Sequence, residues 1–316
     1  MLNNVIFVLS SASKAYDDLT ARIEDTVNYI IENGASSFYV YINDAAGQME
    51  DTLLQISEHH GEIRLKETLF LTDSPIVAQD LLMDSAYVAG LHHEHNADAR
   101  FEGVKFIFAD IDDVDYDSFV KAYQRMAHEP WHILETERCS IRETTIEDVD
   151  KFYEIYSEPS MTKYMEGLFE NPDDEKRYTK DYIDKVYGLL GFGTWTILDK
   201  ETSDIIGRAG FSIRNGFDNV ELGFLISVPY QNQGRAVEVC NAILDYGQKV
   251  LMFDKVQALV KKENEVSIHI LKKLGFEVCD EVDIEENIYG NTYQDGKQVE
   301  LSEAHYGSYV RMLWSA

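Results

Sequence analysis

Apolar residues follow two rhythms along the chain, and the change between them falls near residue 130. In the first stretch, short continuous apolar runs alternate with segments of helical spacing. Residues 5–9 are an apolar run closed by Ser10-Ser11, which predicts a first strand. Ile23, Val27, Ile30 and Ile31 share one helix face, and Asn33-Gly34 supplies a C-cap. Further strands are predicted at 38–42, 69–71, 87–89 and 106–108, with helices around 49–56 and through Val77, Leu81 and Leu82. The third strand ends at Thr72-Asp73-Ser74-Pro75. Apolar strands separated by helices imply a parallel sheet covered on both faces.

Residues 128–136 read as a connector, and the pattern then changes. Residues 140–142 predict a short strand, and Thr145-Ile146-Glu147-Asp148 opens a helix with capping-box spacing. Two helices are expected before Gly191. A hairpin of 194–198 and 205–213 follows, around Asp199-Lys200-Glu201-Thr202. Then come a strand at 220–228, a helix at 236–251, a strand at 255–260, and a helix at 265–274 ended by Gly275. Two more strands close the chain, the last at 307–314. There is no internal repeat. Two domains are expected, 1–135 and 139–316.

Charge narrows the partners. With 57 acidic and 28 basic residues the formal net charge is -29, which repels nucleic acid and anionic lipid. It attracts amines and basic peptides, and it also simply keeps a protein soluble. Cys139, Cys240 and Cys279 are few and widely spaced, which suits a reducing cytoplasm and excludes a disulfide framework or a cysteine zinc site. The first residues lack a basic leader, and no apolar stretch approaches the roughly 20 residues that span a bilayer. His92-His93-Glu94-His95 shows no partner at ligand spacing, so no metal is expected.

The chemistry concentrates in one segment. Val220, Leu222, Phe224 and Ile226 alternate onto one strand face, and Pro229 ends the strand. A helical stripe of Val237, Cys240, Ile243 or Leu244, Gly247 and Leu251 follows. The loop Gln231-Asn232-Gln233-Gly234-Arg235-Ala236 therefore enters a helix. A helix entrance presents unpaired N–H groups and a positive dipole end, which suit a phosphate. Gly234 allows close backbone approach, Ala236 keeps the first turn clear, and Arg235, Gln231 and Gln233 carry donors.

This segment resembles the GNAT superfamily of N-acetyltransferases, whose signature is Gln/Arg-x-x-Gly-x-Gly/Ala between the fourth strand and third helix. Gln231, Gly234 and Ala236 fit it. Asn264-Glu265-Val266-Ser267 through Lys273-Leu274-Gly275-Phe276 is similar to the family's second motif, and Ile141-Arg142-Glu143 with Glu147-Asp148 to its start. The resemblance covers roughly 139–314. It implies an α+β domain with a mixed, largely antiparallel sheet and acetyl-CoA as co-substrate. A splayed fourth and fifth strand would hold the pantetheine arm on backbone groups of Leu225, Ile226 and Val228. Asn264 would sit near that arm, cap the following helix, or do both. Glu221 matches a position where several family members carry a glutamate base, and an ordinary strand carboxylate is its other reading. Leu271 stands where many members place a tyrosine acid, so the acid is not named. Glu238 and Ser267 are similar to the subgroup that acetylates N-terminal amines of ribosomal proteins.

The implied reaction is direct transfer to a primary amine, a protein N-terminus or a small amine, within a ternary complex. Residues 182–193 and 288–299 are the candidate acceptor loops, and they do not identify the amine. The first domain is Rossmann-like, and Leu69-Phe70-Leu71-Thr72-Asp73 with the strands around it resembles a degenerate HAD-like domain; an Asp-x-Asp at Asp110-Ile111-Asp112 also follows an apolar run, but last in the domain. That family needs the pair after the first strand, which here ends without a carboxylate. Two alternatives remain open at this level: a noncatalytic acyl-CoA-binding sensor or scaffold, and a HAD-type phosphatase in the N-terminal half.

Overall fold

The structure is a computed structural model, which describes residues 1–44, 51–286, 292–293 and 305–316. It divides into two compact units, Met1–Trp131 and His132–Ala316. Among the described residues, no helix is long and apolar enough to cross a membrane.

In the first unit the strands are β1 (Asn4–Ser10), β2 (Ser36–Ile42), β3 (Thr68–Thr72), β4 (Tyr87–Leu91) and β5 (Ile107–Phe108). The helices are α1 (Asp17–Glu32), α2 (Thr52–His60), α3 (Pro75–Met83) and α4 (Tyr116–Met126). Part of the expected helix at 49–56 lies outside the described residues. The strands are all parallel, in the order β2-β1-β3-β4-β5. Alternation along β1 explains the continuous apolar run. Val5, Phe7 and Leu9 enter one core with Leu19, Ile23 and Phe119, while Ile6 and Val8 enter the other with Val77 and Leu81. The chain reverses its winding between β1 and β3, where doubly wound sheets open a crevice at the strand ends. Here Asp73 accepts from the Ser10 amide at 2.7 Å and the Ser13 hydroxyl at 2.5 Å. Asp110 instead follows β5, at the sheet edge, with a left-handed φ of 47°. The fold also brings Asp18 to Glu94 and His95, a partner that linear spacing concealed; all three are exposed.

The second unit is an eight-stranded sheet in the order β12-β13-β11-β10-β9-β8-β7-β6. Its strands are β6 (His132–Glu135), β7 (Cys139–Arg142), β8 (Thr194–Asp199), β9 (Ile205–Ser212), β10 (Val220–Ile226), β11 (Lys255–Lys261), β12 (Glu277–Glu286) and β13 (His305–Ser315). Its helices are α5 (Asp148–Tyr156), α6 (Pro172–Tyr182), α7 (Gly188–Leu190), α8 (Arg235–Lys249) and α9 (Glu265–Lys273). Every pairing is antiparallel except β10 with β11. The expected connector at 128–136 thus contains an edge strand, β6, paired with β7. Strand β10 stops at Ile226, two residues short of the expected end.

Two devices hold the helices on this sheet. Asp148 accepts from both terminal nitrogens of Arg142 at 2.7 Å, from the Thr145 amide and from the Thr196 hydroxyl, which ties α5 to β7 and β8. The helix opens at Asp148, three residues later than the expected capping box at Thr145, with Glu147 as N-cap and without a side-chain cap bond, though Asp148 still accepts from the Thr145 amide. After α6 the helix widens into a π turn, Ile183–Tyr187. In a regular helix, residues five apart diverge by about 140°. The wider turn brings Tyr182 and Tyr187 to the same strand end, where Tyr182 accepts from the Thr194 amide and Tyr187 donates to the Thr194 carbonyl.

Candidate functional site

The loop between β10 and α8 is fixed by its own side chains. Gln231 donates through Nε2 to the Ile226 carbonyl at 2.8 Å, and Gln233 to the Pro229 carbonyl at 3.0 Å. Asn232 and Gly234 both take left-handed φ, 57° and 78°. Gly234 is the N-cap of α8, with no side-chain cap on the first turn. Left-handed residues before an uncapped helix turn N–H groups toward a common concavity, which suits an anion. A Cβ added to Gly234 would meet only Arg138 Nη2, at 3.8 Å, so the space above it is open. Ala236 packs against the core beneath.

Arg235 takes a different place from the one its sequence suggested. Its guanidinium pairs with Asp199 at 2.6 Å and lies over the Tyr230 ring. The side chain therefore anchors the loop to β8. Arg138 leans over the same loop: its Nη1 donates to the Gln233 carbonyl at 3.0 Å and its Nε to Glu238 at 2.7 Å. This arginine was missed, since its partners lie about 100 residues away and no local pattern signals it.

A fork opens beside the loop. Among the described residues the β10–β11 ladder registers two pairs only, Val220 with Val256 and Glu221 with Gln257. Beyond them the strands part, so the edge of β10 carrying Leu225 and Ile226 faces a gap in the ladder. Val228 follows, half-exposed, in a short 3-10 turn. Leu222 and Ile226 pack into the core with Val239 and Ile243 of α8, while Leu225 meets Phe152 and Ile155 of α5 on the other face.

Glu221 shares the Leu225 face, at the vertex of the fork. It is buried, and its Oε2 accepts from Arg214 Nε at 2.6 Å. Burial alone would lower the Arg214 pKa; the charge and hydrogen bond of Glu221 outweigh it and raise it. Gln257, across the vertex, is fully buried, and among the described residues neither amide atom has a hydrogen-bond partner. Leu271 lies in the core. Asn264 caps α9, its Oδ1 accepting from the Ser267 amide at 3.2 Å. Of the two candidate acceptor loops, 182–193 holds the π turn and α7; 288–299 lies outside the described residues except for 292–293.

Helix entrance, fork and vertex carboxylate can hold a phosphate, an extended arm and a proton in sequence. A family model described as "Acetyltransferase (GNAT) domain" matches residues 138–277. The chain is 31% identical over 150 residues to a Bacillus licheniformis protein named uncharacterized N-acetyltransferase p20, covering 46% of this chain and 82% of that one. It is 45% identical over 58 residues to spermidine N(1)-acetyltransferase of Escherichia coli K12, covering 18% and 31%. A GNAT-family acetyltransferase structure from Bacillus anthracis aligns at TM-score 0.44 and 20% identity, over 58% of this chain and 97% of that one.

Proposed function

We propose that this acyltransferase, which belongs to the GNAT acetyltransferase family, moves an acetyl group from acetyl-CoA to a primary amine by direct attack. The observation that carries the reading is the uncapped, left-handed entrance to α8 set beside a two-rung fork with Glu221 at its vertex. The amide groups of the first turn of α8, with Arg138 above them, take the pyrophosphate. Gln231, Gln233 and Arg235 shape that cradle, and Ala236 leaves room for it. The pantetheine arm lies against Leu225, Ile226 and Val228, with Asn264 near its far side.

The thioester carbonyl then sits near Glu221. The neutral amine nitrogen attacks the carbonyl carbon, one amine proton passes to Glu221, the C–S bond breaks, and the departing thiolate takes a proton from water to leave as CoA while Glu221 returns its proton to solvent. No covalent enzyme intermediate is needed. Arg214 holds Glu221 toward the vertex. The acceptor is a protein N-terminus, as the resemblance at Glu238 and Ser267 implies, or a small amine such as the polyamine in the name of one relative. The first unit acts as a noncatalytic, Rossmann-like partner domain in the cytoplasm. A HAD-type phosphatase is disfavoured by Asp110 at the sheet edge and by the absence of a carboxylate ending β1. The burial of Leu271 favours a second reading, an acyl-CoA sensor without turnover.

The test is CoA release from acetyl-CoA with spermidine and with an Ala-initiated basic peptide, alongside calorimetric CoA binding. Glu221→Gln is expected to lower turnover about 10²- to 10⁴-fold with CoA affinity held. Gly234→Glu is expected to abolish CoA binding in a folded protein. Retained affinity there removes the cradle, and tight CoA binding without release from either amine supports the sensor.

A further inference from the structure

Gln257 has a donor and an acceptor that the fold leaves unused. It is 0% exposed, and among the described residues both Nε2 and Oε1 lack partners. Buried amides are almost always hydrogen-bonded, and a desolvated unpaired one destabilises the fold. Its register partner on β10 is Glu221, and the next rung is missing because the strands separate. Neighbouring strands lie about 4.8 Å apart, so this carboxamide stands beside the carboxylate at the base of the fork.

We propose that Gln257 positions the acceptor and selects an amine that carries a carbonyl two bonds away, the α-amino end of a peptide. This rests on the transferase reading above. A carboxamide pairs best with a group that offers one N–H and one C=O. Oε1 accepts one amine N–H while Nε2 donates to the carbonyl of the first peptide unit. The other amine proton goes to Glu221. The N–H that remains is the one kept in the product amide, so the contact to Oε1 persists through transfer. A polyamine has no carbonyl and leaves Nε2 unpaired. Sites built to hydrogen-bond a group discriminate strongly against substrates lacking it.

The experiment compares wild type with Gln257→Met, using acetyl-CoA with an Ala-initiated peptide and with spermidine. Wild type is expected to favour the peptide. The variant is expected to lose about ten- to a hundred-fold in kcat/KM for the peptide and less for spermidine, which gives up only the Oε1 contact, with the KM for acetyl-CoA little changed. Its melting temperature is expected to rise by about 2–4 °C, because an unpaired amide has been replaced by an apolar group of similar shape. A lower melting temperature, or failure to fold, means the amide is satisfied within the protein and overturns the proposal. Unchanged peptide turnover, equal loss with both amines, or a wild type that favours spermidine also overturns it and leaves the transferase standing. A wild type inactive on both amines overturns the transferase reading and this proposal together.

Discussion

Asp148 shows how much one side chain can fix. Burial alone would raise its carboxyl pKa, but the Arg142 pair, the Thr145 amide and the Thr196 hydroxyl outweigh it and hold the group below the usual range. A folded-state pKa below the unfolded value of about 3.9 stabilises the fold above that pH, and the contribution is lost as pH falls through the lower value. Asp148→Asn is therefore expected to cost about 3 kcal/mol at neutral pH and to flatten the loss of stability on acidification. Urea unfolding at pH 7 and pH 3 measures both. The face that Glu221 takes was readable from the sequence, because strand alternation separates it from Leu222 and Phe224. Arg138 and Gln257 were not. Their placement comes from Glu238, about 100 residues away, and from a strand register that no local pattern encodes.

At the scale of elements, the hairpin, the strand before the loop and the helix after it were legible from periodicity, and their ends drifted by one or two residues. The drift at Ile226 has a cause: Gln231 takes its carbonyl, so the chain turns early. Strand β6 was hidden because Pro130 precedes it and its own ends, His132 and Glu135, are polar, so the segment read as a linker; an edge strand with one partner needs little apolar alternation. The π turn was equally hidden, since tyrosines five apart match no helical repeat. One glycine carries much of the local geometry. Gly207 pairs with Ile226, and a Cβ there would collide with the Leu225 carbonyl oxygen. Gly207→Ala is expected to destabilise the second unit by about 1–3 kcal/mol and to weaken CoA binding, because the strand end that holds the loop must shift. Thermal melting and calorimetry with CoA check the two effects separately.

For the whole molecule, the net charge of -29 acts with opposite sign on the two proposed substrates. CoA is an anion drawn to a local cradle on a repelling body, while an amine is a cation drawn to the body itself. Added salt screens both interactions. From low to physiological ionic strength, kcat/KM for a cationic amine is expected to fall several-fold, and the association rate of CoA to rise. Stopped-flow binding and initial rates measure each. The fork between β10 and β11 carries a wider consequence. A sheet whose ladder stops after two rungs has an open seam, and a pantetheine arm with its own amides can close it as an added strand would. Binding that completes the sheet also stabilises the folded state by mass action. On the proposed function, the protein's lifetime in a cell, and so its abundance, follows the supply of acetyl-CoA.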